Sequence, residues 1–153
     1  MKKSRRVLHF NNWESVLAEV EGLQASGYTR AGNLSLGQIC NHLAIILEMA
    51  VDGFPKPMPW LMQRFLRLLF LKRMLQHKPI GLRVPAPPIA RQDKPVEDAR
   101  GIARLRAAIQ RFSAPQAAYV SHMAFGDLTP DQWKHQQLWH CEHHLSFLSP
   151  LHP

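Results

Sequence analysis

A chain of 153 residues, 46% hydrophobic and 20% charged, has the size and composition of one globular domain (1–153) with a single core, which excludes a disordered polypeptide. Lys and Arg total 19 against 11 Asp and Glu, a net charge of +8; no aromatic-interleaved basic patch accompanies that charge, so nucleic-acid binding is not expected. The two cysteines, Cys40 and Cys141, are too few for a disulfide framework and read as reduced thiols in a cytoplasmic protein.

The opening MKKSRRVLHF is basic but runs into Asn-Asn-Trp-Glu rather than an apolar stretch, so no secretory signal is expected. A first helix is predicted from about Asn12 to Ala25, because Trp13, Val16, Leu17, Val20 and Leu23 recur at helical spacing. Asn11 or Asn12 can cap it, and Gly27 lies just past its end. A second helix is predicted from Leu36 to Asp52. Ser35 is its N-cap, Gln38 completes a capping box, and Gly53 and Pro55 stop it.

A third helix is predicted from about Pro59 to Gln76. It is apolar on most sides but carries Arg64, Arg67, Lys72 and Arg73, too much charge to cross a bilayer. Those residues suit a helix packed on the body of the protein, a homodimer interface or a membrane-surface helix. Prolines at 79, 85, 87, 88 and 95 make the stretch from Lys78 to Pro95 a loop or strap. A fourth helix is predicted from about Val96 to Phe112. A fifth runs from about Pro130 to Leu148, with Thr129 as N-cap, Pro130 at the first position and Gln132 closing a capping box. No segment alternates like a strand. The expected fold is all-α: a bundle of four main helices with one inserted helix at 59–76.

The chemistry lies in the histidines, of which there are nine, five of them between His122 and His144. Each helical residue advances about 100°. With His140 at zero, Trp133 lies at about +20°, Cys141 at about +100°, Leu145 at about +140° and Leu138 at about +160°. His144, at about +40°, falls inside this apolar arc, whereas His143, at about −60°, sits at its edge. His140 and His144 therefore form an i, i+4 pair facing the core, the spacing at which two imidazoles on one helix share a metal. On the second helix His42 also faces inward, among Ile39, Leu43, Ile46 and Met49. Three inward histidines from two helices can hold one divalent metal with a position left open. His143 reads as a rim or supporting residue and His122 as a weaker candidate nearby. His9, His77, His135 and His152 read as surface residues. Cys40 and Cys141 turn away from the histidines and read as packing residues, and Glu48 and Glu142 lie on polar faces.

The stretches Ser35-Leu-Gly-Gln-Ile-Cys-Asn-His42-Leu-Ala and His140-Cys-Glu-His-His144-Leu-Ser-Phe-Leu resemble the DinB-like superfamily, which includes the YfiT-like proteins. The segment from His122 to Trp133 is similar to an uncharacterised bacterial subgroup of it. The resemblance implies a DinB-like four-helix bundle with a metal triad of His42, His140 and His144 binding zinc or nickel. In some relatives such a metal activates a low-molecular-weight thiol in transferase or isomerase chemistry. The catalytic residues and substrate stay open, and Arg64, Arg67 or Arg91 are candidates to hold a carboxylate-bearing thiol. The alternative is a non-enzymatic metal-binding or stress-associated helical protein, dimeric or not.

Overall fold

The computed structural model describes residues 5–80 and 90–152. Helix α1 (Trp13–Ser26) starts where the Asn12 side chain accepts the Ser15 amide hydrogen at 2.8 Å, and it ends at Gly27. Helix α2 (Leu36–Asp52) carries the capping box expected of Ser35 and Gln38. The segment expected as an inserted helix is a broken rod. Helix α3 (Trp60–Leu66) passes through a π-helical turn (Arg67–Leu71) into helix α4 (Lys72–Leu75). Helices α5 (Asp98–Phe112) and α6 (Pro130–Leu145) complete the set, the latter with the Thr129–Gln132 capping box and Pro130 at its first turn.

The chain is mostly helical, but not wholly so. Strands β1 (Tyr28–Arg30) and β2 (Leu148–Pro150) pair antiparallel, Tyr28 opposite Pro150 and Arg30 opposite Leu148. This corrects two expectations, that no strand is present and that the last helix reaches Leu148. Three-residue strands are too short to show a period of two, and Pro150 masks the second. The pairing fastens the chain after α1 to the chain after α6. Half of the expected strap at 78–95, residues 81–89, lies outside the described residues; the described flanks, 78–80 and 91–95, form neither helix nor strand.

Helix α2 is buried on nearly every side and packs most extensively on α5. What brings these two so close is the absence of side chains. A Cβ on Gly101 would stand 2.7 Å from Gly37 Cα, and one on Gly37 would stand 2.8 Å from the Glu97 carbonyl carbon. Backbone therefore meets backbone at this crossing. Asp98 locks it, accepting the Gly37 amide hydrogen at 2.7 Å and the Tyr28 hydroxyl hydrogen at 3.0 Å. The carboxylate thus satisfies an orphan donor of the α2 N-terminus and favours its dipole. Trp13, Val20, Leu43, Leu47, Leu105, Phe112, Trp133 and Leu145 fill the main core.

The rod packs through a smaller cluster in which Leu66, Leu71 and Met74 meet Ala124 and Phe125. Leu66 and Leu71, five residues apart, would diverge by about 140° on a regular α-helix. The wider π turn brings both inward. The outer face of the rod is left open, with Trp60 70% and Leu68 77% exposed. Among the described residues no helix is long and apolar enough to cross a membrane.

The glycine contact yields a paired expectation. Gly101→Ala should lower unfolding free energy by about 1–3 kcal/mol through overpacking. Gly22→Ala, at an open position of α1 with nothing within 4 Å of the added carbon, should raise it by about 0.5–1 kcal/mol. Urea titration of the two variants checks the opposite signs.

Candidate metal centre

Helix α2 delivers His42 and α6 delivers His140 and His144 to one point. His42 Nε2 lies 3.4 Å from His140 Nε2, and His144 Nε2 lies 3.0 Å from the same atom. One ligand-capable nitrogen from each of the three residues lies within 4.8 Å of the others. Imidazole–zinc bonds of about 2.0–2.1 Å in a tetrahedral site set ligand nitrogens about 3.4 Å apart, so the spacing suits a metal ion.

The surroundings orient and neutralise the rings. His42 Nδ1 lies 2.8 Å from the Ala90 carbonyl oxygen, to which it donates in the tautomer that leaves the Nε2 lone pair facing inward. His42 is buried, and burial pushes its pKa down, partly opposed by the Ala90 hydrogen bond. His140 and His144 are held well below the ordinary value, first by burial and then by neighbouring imidazoles. Neutral imidazole is the metal-binding form. Three neutral rings meeting at one nitrogen can share only a single N–H there, and a metal would accept all three lone pairs. His140 Nδ1 is buried without a hydrogen-bond partner among the described residues, as is Gln137 Nε2 one turn earlier on α6. Gln137 lies at about +60° on the wheel, on the same side of α6 as His140 and His144.

The other candidates take different roles. His143 flanks the triad: its ring centroid is 5.0 Å from that of His144, and its Nδ1 is 3.4 Å from Arg5 Nη2. His122 is buried and serves a turn, its Nδ1 accepting the amide hydrogens of Ala124 at 3.1 Å and Phe125 at 3.2 Å. Cys40 and Cys141 are free and buried, as their wheel positions predict, and burial raises both thiols, Cys40 to about 12. Neither is a thiolate near neutrality. Arg67 does not wait at a pocket mouth; it donates to the carbonyls of Phe125 and Asp127 and secures the rod. Arg64 is exposed, and Arg91 lines a groove with Asn41, Arg100 and Arg104.

One face was misread from the sequence. The side of α6 bearing Glu142 and Ser146 is not solvated: both are buried. The arm at residues 5–10 runs along it, Arg6 N donating to Ser146 O at 3.0 Å and Phe10 N to Glu142 Oε1 at 2.6 Å. His77 and His9, expected at the surface, meet Glu142 there, although His9 stays largely exposed. The signal was faint: apolar residues are spread around α6, as on a helix enclosed from several sides. Glu48 does stay on a polar face, paired with Arg104.

His122 generates a pH expectation. Burial pushes its pKa down to about 4 from an ordinary 6.5, and two amide hydrogens already point at the nitrogen a proton would take. The unfolded chain therefore binds more protons between those values, so the contribution is complete above pH 6.5 and is lost as pH falls toward 4. The loss should total on the order of 3 kcal/mol. His122→Asn, whose carbonyl can accept the same hydrogens, should lose less stability between pH 7 and 4.5 than the parent in urea titrations; equal losses would contradict this account.

A comparison with curated proteins and one with solved structures each found no match. A family model does match, over residues 2–151. With nearly the whole length covered, the chain belongs to the protein family of unknown function DUF1569.

Proposed function

We propose that the chain is a metal-binding protein in which His42, His140 and His144 hold one divalent cation, zinc or nickel, with a coordination position left for a small-molecule ligand. The observation that carries this reading is the meeting of three imidazole Nε2 atoms from two helices, His140 Nε2 lying 3.4 Å from that of His42, 98 residues away in sequence, and 3.0 Å from that of His144. On this reading α1, α2, α5 and α6 form a DinB-like four-helix bundle and the α3–α4 rod is the insertion. The mutual packing of those four helices supports it. Two buried free thiols fit a reducing cytoplasm.

The reaction proposed is transfer to or from a low-molecular-weight thiol. A metal bound there would lower the pKa of a coordinated thiol and yield a nucleophile at neutral pH. The chain's own groups bind and orient: Ala90 fixes the His42 ring and burial keeps the imidazoles neutral. Since Cys40 and Cys141 are buried and protonated, the nucleophile must come from the substrate. The alternative is a metal-binding protein without catalysis. A thiol-transfer screen with zinc- and nickel-loaded protein separates the two readings.

Elemental analysis of tagless protein should find metal in the parent. In His42→Ala and His144→Ala, the metal of this site should be lost, with affinity down by about a hundredfold or more, since even a group that only supports a ligand contributes about 10–100-fold. A chelator should lower the melting temperature of the parent by more than that of either variant. Unchanged metal content in both variants would remove the proposal.

A further inference from the structure

A second group of ligand-type side chains lies across α6 from the triad. Glu142 stands between His140 and His144 in sequence but at about −160° on the wheel, so it faces the other way. Its carboxylate is 7% exposed, and its Oε1 lies 2.7 Å from His77 Nδ1 and 3.6 Å from His9 Nδ1. The two imidazoles meet edge to face with centroids 4.3 Å apart. One ligand atom from each of His9, His77 and Glu142 lies within 4.8 Å of the other two.

The backbone at His77 is an independent observation. The α4 rod ends in a Schellman turn, with His77 N donating to Met74 O and Lys78 N to Arg73 O, both at 2.9 Å. His77 occupies the left-handed position of that turn, at φ 54°, the one described non-glycine residue with positive φ. Glycine is the residue this position favours. A side chain that the turn disfavours is kept, and its ring is directed at a buried carboxylate. Strain of this kind, seen together with a functional cluster, points to use of the side chain.

We propose that His9, His77 and Glu142 form a second divalent-cation site, distinct from the three-histidine centre and suited to a borderline cation such as zinc. A hydrogen bond from His77 to Glu142 accounts for one contact. It does not account for His9 placing its Nδ1 toward the same oxygen, or for histidine in a glycine position. Two imidazole nitrogens and a carboxylate oxygen are a common borderline-metal ligand set. His9, half exposed at 55%, leaves room for water ligands. His77 would ligate through Nδ1, exchanging its contact with Glu142 Oε1 for a bond to the metal. The ligands come from the N-terminal arm, the end of α4 and α6, so the cation would tie arm and rod to the central helix.

Zinc titration of stripped, tagless protein against a chromogenic chelator tests this. The parent should bind two equivalents if both centres exist. His77→Gly, which suits the backbone and so spares the fold, and His9→Gln should each weaken one equivalent about a hundredfold or more, as loss of a direct ligand exceeds the 10–100-fold of a supporting group. His42→Ala with His144→Ala should keep that equivalent, and zinc should still raise its melting temperature; adding His77→Gly should abolish the rise. Binding by the parent that His77→Gly removes and the triad variant retains supports the second site even if the triad binds nothing. Zinc binding unchanged in His77→Gly, or absent from the triad variant while that variant still melts cooperatively, overturns it.

Discussion

Burying a helix rich in polar side chains is costly wherever those groups lack partners, and α6 puts this demand on the rest of the molecule. Gln136, Gln137, Glu142 and Ser146 are buried beside Trp133, Leu138, Cys141 and Leu145. Leaving such groups dry and unpaired would cost several kcal/mol in all, at about 1–3 kcal/mol each. The fold answers in part, on two sides, while Gln136 Oε1 and Gln137 Nε2 have no partner among the described residues. Across one face α2 brings His42 to the His140–His144 pair. Across the other, the N-terminal arm and the end of the rod bring Phe10 N–H, His77 and His9 to Glu142.

The first answer depends on how α2 is seated. Two glycines allow its N-terminal half to lie directly on α5, and Asp98 ties the α5 start to both the α2 amide and Tyr28. Tyr28 begins the short strand that pairs with the segment after α6. One chain of contacts therefore runs from the α5 N-terminus through β1 to the end of the histidine-bearing helix. The position of His42 relative to His140 is set by backbone packing and not by the imidazoles alone. The second answer rests on the π turn and on the Schellman turn that ends the rod, which together deliver His77 to α6.

Much of this was readable in advance. The capping boxes at Ser35 and Thr129 located two helix starts because a hydroxyl and an amide three residues on satisfy orphan donors locally. The wheel positions of His42, His140 and His144 foretold convergence because inward faces in a small helical protein must meet. Glu142 was misplaced by the same arithmetic, since the wheel gives a direction but does not say what covers it. The sheet between Tyr28–Arg30 and Leu148–Pro150 was missed because it consists of three pairings with no local pattern.

The sequence by itself determined where most of the helices lie, the capped starts of α1, α2 and α6 and the inward set of three histidines, because these follow from capping, periodicity and the 3.6-residue repeat, all local in the chain. Only the tertiary structure decided that the polar face of α6 is covered, that His77 stands in a left-handed turn beside a buried carboxylate, and that α2 and α5 touch through glycine. These depend on contacts between residues 61 to 132 positions apart, and no local pattern specifies which distant segment will lie against a given face.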